Sequence, residues 1–355
     1  MMKALFYCNN PFFLAHGGTQ TLLESLMREI AAWGVEVEPL RWWDTGQTGD
    51  IIHFMNRPTD SLVKAAHNKG FKTVMTENID HTASRGMLEL WLRKFALQCD
   101  RMLGGPLAFR TSMNVYQHLD ALVYVVELER EVAQYLYNIP PARSHVIPHG
   151  LEEDALTDLA KPEPEGDYLI SIASIVRRKN NVLLARAARI AQVPIVFLGK
   201  PFSESDPYFQ EFKRLVDDRF VRYPGFVSRE EKHRLLRGAR GFALLSHFES
   251  GCISVYEASA AGLPLLLPNL PWAVRVYQQA LQKEFLPIKS AQFLATKLRT
   301  FYEKAHRRPG HIFPVPSWRE VARRYVEIYD AVLNKKSNPI SVVAKHLTSK
   351  IQSTV

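Results

Sequence analysis

Apolar and polar positions along this chain alternate between two periods. Short apolar runs, ALFYC (4–8), DIIHFM (50–55), KTVMTEN (72–78) and ALVYVV (121–126), read as strands buried on both faces. Between them apolar residues recur at helical spacing. Leu22, Leu23, Leu26, Met27, Ile30 and Ala31 form one such stripe, with Thr21 and Glu24 at capping-box spacing and Gly34 at its end. The pattern breaks at LEEDALTDLAKPEPEGD (151–167), whose acids and prolines predict a linker. A second alternating series follows through YLISIAS (168–174), VPIVFLGK (193–200), FVRYPGFV (220–227), GFALLSH (241–247) and PLLLP (264–268). Ser228 with Glu231, and Ser317 with Glu320, have the spacing of two further capping boxes.

Strand–helix alternation of this kind predicts an α/β protein with two doubly wound, Rossmann-like domains facing each other across a cleft. The expected boundaries are 1–155 and 156–316, then a helix at 317–334 crossing back to the first domain and a poorly ordered basic tail at 335–355. In such sheets ligands sit at the carboxyl ends of the strands, so chemistry is expected in the cleft.

Composition narrows the picture modestly. The chain has 355 residues and a formal charge of +9, which suits phosphate-bearing ligands or anionic lipid. The charge is scattered and lacks an aromatic-basic module, so no nucleic-acid partner is expected. Three distant cysteines exclude a disulfide framework and a CxxC knuckle and suggest a cytoplasmic setting. No acidic or His/Cys cluster has metal-ligand spacing, so metal-independent chemistry without a cofactor is expected.

The most informative segment is SHFESGCISVYEASAAGLPLLLP (246–268). A strand leaves through ESGC into a helix, so the backbone amides of Gly251, Cys252, Ile253 and Ser254 would face an anion. Glu249 and Glu257 flank them as acceptors suited to a polyol. The plainer alternative is one capping acid and one solvated acid. In RRKNN (177–181), Arg177, Arg178 and Lys179 follow the first strand of the second domain. Cations there suit an anionic ligand in the cleft, and the plainer alternative is a solvated basic helix start. Gly17, Gly18 and Thr19 follow the first strand, where glycine either permits a phosphate or sugar to approach the backbone or simply makes a tight turn.

Glu–x7–Glu followed by Ala258, Gly262, Leu263 and Pro264 resembles the signature of retaining glycosyltransferases of family 4, which have the GT-B fold and use nucleotide sugars. GGTQTLLESLMREIAAWGVEV (17–37), VIPHGLEED (146–154), ASIVRRKNNVLLARAA (173–188) and YPGFVSREEKHRLL (223–236) are similar to further segments of that family in the same order. The resemblance implies transfer of a hexose-type sugar from a UDP or GDP donor to a glycan or lipid-linked acceptor, with retention. It makes Lys179 the catalytic lysine and Glu249 the group on the sugar hydroxyls. Glu257 would take the ribose, with Lys200, Phe226, Val227 and the 251–254 amides completing the donor site. Ser174 stands where many members carry an arginine, and Arg178 is taken to supply that charge. A family histidine is missing near Asn78, which leaves His81 as the candidate contact to the transferred sugar. His53 and His149 are expected at strand ends near the cleft.

Two rival readings share the fold: a nucleotide-sugar epimerase, and a non-catalytic carbohydrate- or nucleotide-binding protein. Separately, MLELWLRKFALQCDRMLGGPLAFR (87–110) mixes Trp91, Leu92, Phe95 and Leu97 with Arg93, Lys94, Arg101 and Arg110. Such a helix packs its apolar side on a sheet or lies on an anionic membrane, the latter giving peripheral contact at the inner face.

Overall fold

The computed structural model of the protein describes residues 1–8, 18–102 and 115–334. It has two lobes, each built on a six-stranded parallel sheet. The first is ordered β2-β1-β3-β4-β5-β6 and the second β12-β11-β10-β7-β8-β9. In the first lobe these strands are β1 (Lys3–Tyr7), β2 (Glu36–Pro39), β3 (Ile51–Phe54), β4 (Lys72–Thr76), β5 (Ala121–Tyr124) and β6 (Ser144–Val146). Its helices are α1 (Gly18–Ala32), α2 (Asp60–Asn68), α3 (Asp80–Ala83), α4 (Met87–Met102), α5 (Val115–His118) and α6 (Glu127–Tyr137). β3 and β5 are buried at every position, as strands covered on both faces must be.

The second lobe contains α7 (Glu153–Ala160), β7 (Leu169–Ile172), α8 (Asn181–Ala191), β8 (Ile195–Leu198), α9 (Pro207–Lys213) and β9 (Val221–Gly225). It continues with α10 (Arg229–Arg237), β10 (Gly241–Ala243), α11 (Ile253–Ala260), β11 (Leu265–Pro268), α12 (Pro271–Tyr277), β12 (Lys283–Leu286) and α13 (Ala291–Lys304). Two apolar clusters fill the lobe, one led by Phe242, Leu263 and Trp272 and the other by Phe197, Phe212 and Leu298.

The last helix, α14 (Trp318–Asn334), returns to the first lobe. Its Trp318, Val321, Tyr325 and Tyr329 share a core with Ala4, Phe6, Leu26 and Ile30. The capping box is complete here: Glu320 N donates to Ser317 Oγ at 3.2 Å and Ser317 N to Glu320 Oε2 at 2.8 Å. His53 is a core residue rather than a cleft residue. Its Nδ1 lies 2.6 Å from Tyr329 Oη and its Nε2 2.8 Å from Thr76 Oγ1.

Two local readings of the sequence differ from the structure. α1 begins at Gly18, so Thr21 lies inside the helix and does not cap it; Gln20 instead donates to Glu24 at 2.8 Å. The stretch read as a linker carries α7, whose Leu159 is buried in the second lobe. Its acids are neutralised by α10: Asp158 meets His233 at 2.8 Å and Arg237 at 2.9 Å, and Asp154 meets Arg229. The chain crosses between lobes just before it, at Leu151, which pairs with Ser317 on the returning strand. Gly17, the basic tail and residues 103–110 lie outside the described residues.

Candidate functional site

Strand exits of the second lobe build the site. After β7 the chain makes a short turn, Arg177–Lys179, which ends at Asn180 in the left-handed region (φ 59°) and then enters α8. After β10 it runs through 246–252 into α11. The two exits are joined: His247 N donates to the Arg178 carbonyl at 2.9 Å. The Arg178 side chain reaches the same loop, donating from Nη1 to the Phe248 carbonyl at 2.8 Å and to Glu249 Oε2 at 3.1 Å. Lys179 Nζ donates to Glu249 Oε1. Burial pushes the Glu249 carboxyl up, but Lys179 and Arg178 outweigh burial and hold it below the usual range.

These groups line a cavity of about 390 Å³ between the lobes. Its second-lobe wall holds Ser174, Arg178, Lys179, Glu249 and the 250–254 backbone, and its first-lobe wall holds Leu22, Asn78, Asp80 and His149. Cys252 caps α11 without a side-chain hydrogen bond, so the helix presents its first amides and the positive end of its dipole to the cavity. Burial pushes the Cys252 thiol up, which keeps it a neutral wall group. Burial likewise lowers His149 to about 4, so its imidazole is uncharged near neutrality.

The anion loop touches the first lobe directly. A Cβ on Gly251 would sit 2.3 Å from Val125 Cγ1 and 2.8 Å from His149 Cδ2, so only glycine fits there. Next to it, Ser250 Oγ donates to Glu129 Oε2 at 2.9 Å, while Glu129 Oε1 accepts from Ile79 N at 3.0 Å. Burial raises Glu129 to about 8, with nearby Asp80 adding to the shift. Behind α11, Gly262 holds a φ of +72°, and its Cβ would meet the Arg308 carbonyl at 1.9 Å. That explains the glycine of the Ala-Gly-Leu-Pro segment in steric terms alone.

The expected residues distribute unevenly over this geometry. Lys179, Arg178, Glu249, Gly251, Cys252, Ile253 and Ser254 come together on one wall. Glu257 lies a turn further along α11, buried and paired with Lys232 of α10, and is not among the cavity-wall residues. Lys200 and Phe226 are exposed and stack on each other, with Nζ 4.1 Å from the ring centroid; with Val227 they stand off the cavity. His81 is exposed; its ring packs edge-on at 4.9 Å against Phe248, and Arg85 holds its Nε2 at 2.6 Å. Gly18 and Thr19 open α1, which sends Leu22 to the wall. Asn78 entered the sequence reading only as the place of a missing histidine, and Asp80 and Ser250 were not taken as site residues; their signal was weak, single polar residues in loops. Three larger hollows, of about 510, 480 and 400 Å³, share no residue with this wall. Among the described residues no group of three or more His, Cys, Asp or Glu could hold a metal ion.

Residues 157–309, the segment that carries Lys179, Glu249 and α11, match the family Glycosyl transferases group 1. The match covers less than half of the chain, so the likeness belongs to this segment. A D-inositol 3-phosphate glycosyltransferase from Mycobacterium sp. (strain KMS) is 28% identical over 186 residues, covering 48% of this chain and 42% of that protein. The chain thus matches less than half the length of this curated relative. Among solved structures, a glycosyltransferase from Rickettsia africae has a TM-score of 0.63 at 14% identity, covering 94% of this chain and 99% of its own. Anabaena HepE, solved in complex with UDP-glucose, has a TM-score of 0.60 at 14% identity, covering 98% and 100%. These likenesses show the fold: two Rossmann-like lobes in the GT-B arrangement.

Proposed function

We propose that the protein is a retaining glycosyltransferase. It moves a hexose-type sugar from a nucleoside diphosphate donor, UDP or GDP, to a glycan or lipid-linked acceptor, without a metal ion. The observation that carries this reading is the convergence of Lys179, Arg178 and Glu249 on a cavity floored by the first turn of α11. The diphosphate would sit on the α11 amides. Lys179 and Arg178 would meet the charge that appears on it as the glycosyl C1–O bond breaks. Glu249, held ionised by these cations, would accept hydrogen bonds from the sugar hydroxyls. The acceptor oxygen bonds to C1 on the face the diphosphate leaves, and its proton passes to the departing phosphate oxygen. Without a protein nucleophile in the proposal, this front-face route accounts for retention.

A UDP donor is favoured by the likeness to HepE, whose structure holds UDP-glucose. Glu257, Lys200, Phe226 and Val227 are proposed for the ribose and base ends of the nucleotide, and His81 for the sugar. With donor and acceptor glycan supplied, Lys179→Ala and Glu249→Gln should each slow transfer by roughly 10²–10³-fold, the scale of a lost transition-state donor. Both variants should keep the circular dichroism spectrum of the parent. Product anomer, read by NMR, should match the donor. Turnover within a few fold of the parent in either variant, or no thermal shift with any nucleoside diphosphate, would overturn the assignment.

A further inference from the structure

The outer face of α4 is apolar where a surface helix is normally polar. Met87, Leu88, Trp91, Leu92, Phe95 and Met102 are each 51–87% exposed. Their spacing puts them on one stripe along the helix. The Trp91 and Phe95 rings stack on it, with centroids 5.9 Å apart. The inner face already has its partners: Leu90 is buried, and Lys94 lies over the Tyr135 ring of α6 at 4.0 Å. Thus the stripe is not a core face turned outward by poor packing.

We propose that this stripe docks the protein on an anionic lipid bilayer. Charge complementarity selects that occupant. Residues 85–102 contain Arg85, Arg93, Lys94 and Arg101 against Glu89 and Asp100, and Asp100 is buried. Glu89 is shared between Arg85 at 3.1 Å and Arg93 at 3.2 Å, so one acid is divided between two cations and the stretch keeps a net positive charge. A second copy would meet like charge with like charge, on a chain of net charge +9. An apolar strip on a helix of net positive charge fits acyl chains below anionic headgroups. The helix lies flat: among the described residues no helix is long and apolar enough to cross a membrane. Docking this way also sets the cleft at the lipid surface, because only residues 84–86 separate α4 from α3, whose Asp80 lines the cavity.

The test is vesicle flotation with the full chain. Vesicles of phosphatidylcholine with about a third phosphatidylglycerol should carry the protein at least ~10-fold better than pure phosphatidylcholine, and raised salt should reverse this. Trp91→Glu with Phe95→Glu should reduce flotation at least ~10-fold. The milder pair Trp91→Ala and Phe95→Ala should give a smaller loss in the same direction, with an unchanged circular dichroism spectrum and melting temperature. Trp42→Glu with Trp43→Glu, exposed tryptophans elsewhere on the first lobe, should float like the parent. Three results would overturn the proposal: no flotation with anionic vesicles, flotation indifferent to the α4 variants, or a stable dimer that the α4 variants dissociate.

Discussion

Glu249 is ionised in a buried place because Lys179 and Arg178 both touch it, so each member of the trio sets the chemistry of the others. Gly251 is constrained differently, by shape. Gly251→Ala drives a methyl into Val125 and His149 and should cost about 1–3 kcal/mol, the usual scale of overpacking. Val125→Ala in the same chain should restore most of that loss, a coupling that urea denaturation of the double-mutant cycle measures. The Lys179–Glu249 partnership was legible because both residues follow strand ends, where a doubly wound sheet gathers its loops. The Ser250–Glu129 bond was not, since its members are 121 residues apart and neither carries a local signal. Lys200 and Phe226 also lie at strand exits, yet their side chains turn to each other, a choice that spacing does not encode.

Elements show the same division between local and long-range information. Strands with continuous apolar runs were readable because burial on both faces leaves no polar position. The Ser228 and Ser317 caps formed because the accepting hydroxyl and the donating amide are three residues apart, entirely within reach of local geometry. α7 was missed because its acids look solvated until α10 brings Arg229, His233 and Arg237 against them. The seating of α14 depends on a polar chain in an apolar core, Tyr329–His53–Thr76–Tyr325. Tyr329→Phe removes the partner of His53 Nδ1 and should destabilise the protein by about 1–3 kcal/mol in urea titrations.

For the whole molecule, buried titratable groups define a pH window. His53 and His149 are lowered by burial to about 3 and about 4, so the unfolded chain binds protons first as pH falls below about 6.5, and stability drops on the acid side. Glu129 acts in the opposite sense. Raised to about 8, it binds its proton more tightly in the folded state, so its contribution fades as pH rises from about 4.3 through 8. Glu129→Gln should therefore flatten the fall in melting temperature between pH 6 and 9 while leaving the acid limb intact. An unchanged alkaline slope in thermal melts would rule out that role for buried Glu129.

The return of α14 also bears on how the protein is made. The chain crosses between lobes twice, at Leu151 and Ser317, where Leu151 N donates to the Pro316 carbonyl and Trp318 N to the Leu151 carbonyl. On the ribosome, the first sheet emerges with one flank bare and waits through synthesis of the entire second lobe for Trp318, Tyr325 and Tyr329 to cover it. A nascent chain stalled anywhere in 157–316 would expose that flank, and a chaperone that recognises apolar surface would find its binding site there.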